Sequence, residues 1–199
     1  MFQVLSGAYS ANPARSLLRL YRLFPSRFNA VVTEIIFLRA LMTLPDADFM
    51  CCLSLVPETS RPPAVPLLVE LEGYLNRGQV REFWERSQDP ILVALLEKMG
   101  PTAARDFTAT VRGFIASILT RTYRRTTLGQ VATDLGFRDE QAAREWVNGQ
   151  KGWSVEPSST QVDIQANWDN TTRPARKEGE DALSGIKFAD ASFILNRQI

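Results

Sequence analysis

Thr127-Leu128-Gly129-Gln130-Val131-Ala132-Thr133-Asp134-Leu135-Gly136-Phe137 opens the stretch that decides the fold of this 199-residue chain. A charged, helix-like run follows from Arg138 to Asn148, then Gly152-Trp153-Ser154-Val155 and Thr160-Gln161-Val162-Asp163-Ile164. Two short helices followed by two short strands is the order of a winged helix, a helix-turn-helix with a β-hairpin wing. Such a module raises the question of nucleic-acid reading, and the charge of the chain bears on it. Lys and Arg total 23 against 22 Asp and Glu, a net charge of +1, whereas a dedicated nucleic-acid binder carries a clear basic excess. The second helix sets Arg138 and Arg144 against Asp139, Glu140 and Glu145, a poor match for phosphates.

The basic residues available for an RNA contact are Arg121, Arg124, Arg125 and Lys151. The three arginines have a second reading, as cations suited to the C-terminal end of the long helix before them. Trp146 and Trp153 read as core of the module, with stacking on a base as the alternative. Phe83 and Trp84 read as one half-buried helical face.

Upstream of the module the punctuation is helical throughout. Asn12-Pro13 reads as a helix start, with Leu17, Leu18, Leu20, Tyr21 and Phe24 as the apolar face and Pro25 as the stop. Ser26 is placed to cap a second helix running to about Leu44, so apolar that it must lie between neighbours. Further helices are expected from Ala47 to Val56, from Pro66 to near Gly78, from Val80 to Arg86 and from Asp89-Pro90 to Gly100. Pro101 opens the longest, to roughly Arg124. Its Phe107, Val111, Phe114, Ile115, Ile118 and Leu119 keep the three-and-four spacing of one buried stripe. Gly113 within it reads as a place for close packing by a neighbour. Antiparallel helix pairs joined by short Pro- or Gly-marked loops suggest a helical-repeat stack.

From Asn167 the chain turns polar and loses periodicity through Asp181, which reads as an exposed linker. It becomes apolar again at Ile186, Phe188, Phe193, Ile194 and Leu195. A terminal apolar segment behind a polar tether docks on its own domain or on a partner. These five residues are the candidate partner-binding set.

Catalysis finds little to work with. The chain has no histidine, which removes the commonest general base and the usual zinc ligand sets. The carboxylates Glu70, Glu72, Asp106, Asp134, Asp139 and Glu140 show no spacing that forces convergence and read as surface charges or caps. Gly149-Gln150-Lys151-Gly152 lacks the spacing of a phosphate-binding loop. Cys51 and Cys52 are adjacent in an apolar run, a poor disulfide and a poor metal site, and so read as reduced and largely buried. No enzyme activity, cofactor or metal is expected. Met1 to Ser6 does not form a signal peptide, and no stretch approaches the ~18 uncharged apolar residues of a membrane span. A soluble cytoplasmic protein is expected.

Tyr21-Arg22-Leu23-Phe24-Pro25, Val32 to Leu41 and Leu44-Pro45-Asp46-Ala47-Asp48-Phe49 resemble the subunit k family of eukaryotic translation initiation factor 3. The resemblance continues through Phe83-Trp84 and Gly152-Trp153-Ser154, and Lys187-Phe188-Ala189-Asp190 is similar to that family's last segment. Small winged-helix subunits of the proteasome lid and the signalosome share the plan (PCI-type, helical repeat plus winged helix). The resemblance implies a mainly α fold: a HEAT-like helical-repeat domain over 1–125, a small α+β winged-helix domain over 126–166, a polar linker over 167–185 and a docking segment over 186–199. It implies a non-catalytic structural subunit that assembles with other subunits of the factor, subunit l above all, and meets the small ribosomal subunit indirectly. It also implies an N-terminal helix before Asn12 that this chain holds only in part. The alternatives are a subunit of the proteasome lid or signalosome, or an RNA-binding module.

Overall fold

The computed structural model describes residues 10–156 and 159–171. Over these the protein is mainly helical, with nine α-helices and one small antiparallel sheet. Seven helices come first: α1 (Ala11–Leu23), α2 (Ala30–Leu41), α3 (Asp48–Leu55), α4 (Ala64–Asn76), α5 (Val80–Arg86), α6 (Pro90–Met99) and α7 (Ala103–Thr122). Then follow β1 (Arg125–Thr127), α8 (Leu128–Asp134), α9 (Glu140–Asn148), β2 (Trp153–Val155) and β3 (Gln161–Ile164).

α2 is the centre of the helical part. Residues Thr33 to Leu38, Ala40 and Leu41 are all buried, because the helix packs against α1, α3, α4 and α6 at once. Its start differs from expectation. Pro25–Arg27 forms a 3₁₀ turn and Ser26 caps nothing; Asn29 accepts from the Val32 amide at 3.0 Å and begins the helix. An amide oxygen three residues before a free N–H is the geometry that an N-cap requires, and Ser26 stands too early for it. Likewise α1 starts at Ala11 behind Ser10 rather than at Asn12-Pro13. Asp89 does cap α6, accepting from the Ile91 amide at 2.9 Å with Pro90 at the first helical position.

Two further expectations are corrected. Gly113 is exposed on α7, and a Cβ there would meet nothing within 4 Å, so it makes room for no neighbour. Glu72 is buried rather than a surface charge, its carboxylate accepting from the Asn76 side chain at 2.6 Å. Glu34 is also buried. It accepts from the Ala64 amide at 3.3 Å, at the N-terminus of α4, with the Lys98 ammonium 3.9 Å away. One carboxylate thereby ties α2, α4 and α6 at a helix end that favours negative charge.

The sheet order is β1-β3-β2, all antiparallel, with Arg125 opposite Asp163 and Trp153 opposite Ile164. The hairpin β2-β3 matches the two short strands expected after the second helix. β1 is an addition: three polar residues just past α7, held because β3 offers its other edge. Thr127 ends this strand and starts α8, its hydroxyl accepting from the Gln130 amide at 3.2 Å. Apolar burial continues from the helical part into this unit through Leu128, Val131, Leu135, Val147, Val162 and Ile164.

Candidate assembly surfaces

A seam of planar side chains joins α5 and α7 to the α8–β3 unit. Arg112 of α7 donates from Nε to the Leu135 carbonyl at 2.8 Å and from Nη2 to the Gly136 carbonyl at 3.0 Å. These carbonyls stand at the end of α8, where backbone acceptors lack intrahelical partners. The same guanidinium lies over the Phe137 ring at 4.0 Å, and burial lowers its pKa from the usual arginine value. Trp84 of α5 donates its indole N–H to the Asp134 carbonyl at 2.9 Å. Gly136 sits beneath that indole at φ +64°, and a Cβ there would lie 2.6 Å from the ring. The residue must therefore be glycine twice over, for its left-handed backbone and for the ring against it.

The seam continues inward. Phe137 lies beside Trp146, and Trp146 meets Trp153 edge to face at 5.8 Å. Trp153 donates from Nε1 to the Thr120 hydroxyl at 3.0 Å. Both tryptophans are thus engaged in packing, which leaves neither as an open platform for a base.

The segment expected to open the exposed linker is partly structural. Asn170 is 8% exposed, and its side-chain amide lies 3.0–3.1 Å from the carbonyls of Thr120, Tyr123 and Gln165. Asn167 donates to Thr120 as well, at 2.7 Å. Two asparagines therefore close the C-terminal end of α7, and residues 167–171 belong to the folded unit. Trp168 between them is largely exposed.

Arg121, Arg124, Arg125 and Lys151 are all at the surface. Arg121 is in the last turn of α7, whereas Arg124 and Arg125 lie beyond it in extended chain, so the helix-end reading holds for Arg121 alone. Arg125 pairs with Asp163 across the sheet at 2.8 Å, and Arg121 stands 3.8 Å from Asp169. Arg124 borders a shallow depression shared with Gly152, Ser154 and Gln165, and Lys151 precedes Gly152. On α9, Asp139 is spent as the N-cap, and Arg144 donates to the carbonyls of Glu156 and Ser159. The candidate docking residues Ile186, Phe188, Phe193, Ile194 and Leu195 lie outside the described residues.

Among the carboxylates, Glu70 is held below its usual range, chiefly by its bond from Arg86 at 2.9 Å and also by the Tyr74 hydroxyl. Asp134 is raised by burial, with the bond from Gln130 and the charge of Arg81 acting the other way. Arg86 also bonds Asp89, so one guanidinium serves both Glu70 and Asp89. Cys51 is half-buried and Cys52 buried, and neither is in a disulfide. No helix among the described residues is long and apolar enough to cross a membrane.

Residues 27–172, from the turn after α1 to the asparagine cap of α7, match the CSN8/PSMD8/EIF3K family model. The chain belongs to the CSN8/PSMD8/EIF3K family. Three relatives carry the name eukaryotic translation initiation factor 3 subunit K. That of Neurospora crassa is 29% identical, covering 82% of this chain and 71% of its own. That of Xenopus laevis is 26% identical over 92% of this chain and 82% of its own. The human protein is 28% identical over 78% of this chain and 68% of its own. The seam, the sheet and the α7 cap of this CSN8/PSMD8/EIF3K member all fall within the matched stretch. Sequence reasoning had quoted Leu135-Gly136-Phe137 without using it, although glycine just past a short helix is a left-handed stop signal. Arg112 and Asn170 had no such signal, since only the fold brings them to their carbonyls.

Proposed function

We propose that this chain is a non-catalytic structural subunit of eukaryotic translation initiation factor 3, working in the cytoplasm. It acts through protein–protein contacts in the assembly of initiation complexes on the small ribosomal subunit. The observation that carries this reading is that fungal, amphibian and human relatives, matched over most of both chains, bear that subunit's name. The family model also spans proteasome-lid and signalosome subunits by its description, so those complexes are the alternative homes.

In this reading residues 1–125 form a HEAT-like helical-repeat domain, 126–166 a winged helix, and 186–199 a docking segment carried on the chain that precedes it. The order β1-α8-α9-β2-β3 supports the winged helix. The partners are the other subunits of the factor, subunit l foremost. An RNA contact through Arg121, Arg124, Arg125 and Lys151 is less well supported, since carboxylates stand beside two of the four. No cofactor enters the reading.

The test of the docking segment is deletion of residues 186–199 followed by co-purification of the complex. Incorporation should fall sharply while the circular dichroism and melting of the truncated chain stay unchanged. Undiminished incorporation would remove the segment from the reading.

A further inference from the structure

We draw no further inference here: the strongest candidate, the exposed Trp168 on the turn that Asn167 and Asn170 fix against the C-terminal end of α7, carries nothing because nothing in the structure shows what covers it.

Discussion

Gly136→Ala is the most informative single change in this fold. At φ +64° an alanine pays for the left-handed backbone, about 1–2 kcal/mol. Its Cβ would also stand 2.6 Å from the Trp84 ring, so the indole must move. Moving it loosens the N–H bond to the Asp134 carbonyl, about 1 kcal/mol net, and disturbs packing beside Arg112. The expected loss is roughly 3–4 kcal/mol, a large share of the stability of an ordinary domain. Gly78→Ala is the control, because it has a similar φ of +69° with nothing within 4 Å and should show the backbone cost alone. Urea unfolding followed by far-ultraviolet circular dichroism measures both. Adding Gly136→Ala to a Trp84→Ala background should cost no more than Gly78→Ala does, since the obstructing ring is gone. Equal losses for Gly136→Ala and Gly78→Ala in the native background would refute the idea that the ring fixes this position.

Three other outcomes follow from the same geometry. Glu34→Ala leaves the Ala64 amide without its acceptor in a buried site and should cost about 1–3 kcal/mol, read as a shift in urea midpoint. Asn170→Ala removes the amide that closes α7 and should cost a similar ~1–3 kcal/mol, with faster amide hydrogen exchange at the start of β1 and the end of β3. Asp134 has a folded-state pKa raised by burial, so its contribution is fully present below the ordinary carboxylate range and is lost as pH rises through the raised value. Asp134→Asn should therefore be more stable than the native chain at neutral pH, the gain vanishing in acid below that range. A gain that persists in acid would contradict burial as the cause.

The helical part was legible because its punctuation is local. Asp89-Pro90, Gly100 and the prolines at 25, 57 and 101 mark helix ends through backbone chemistry that needs no tertiary context. The two short helices and the hairpin after Thr127 were legible for the same reason. β1 was not, since three polar residues carry no period and become a strand only when β3 supplies an edge. Leu20 and Phe24 stand exposed, and they misled because helical spacing identifies a face without saying whether anything lies against it. Asn170 misled in the opposite sense. A polar run looks like linker, yet one amide in it found three carbonyls, two of them 47 and 50 residues away. Arg112 shows the same limit at the seam: its partners lie 23 and 24 residues away, and no spacing rule links them.

Membership of one complex among three is settled most directly by affinity purification of the tagged full-length chain from cells of its own source, under gentle salt, with the bound subunits identified by mass spectrometry. The expected result is the set of translation initiation factor 3 subunits, subunit l prominent among them, co-migrating with small ribosomal subunits. Recovery of proteasome-lid or signalosome subunits in stoichiometric amount, with the initiation factor absent, would contradict it.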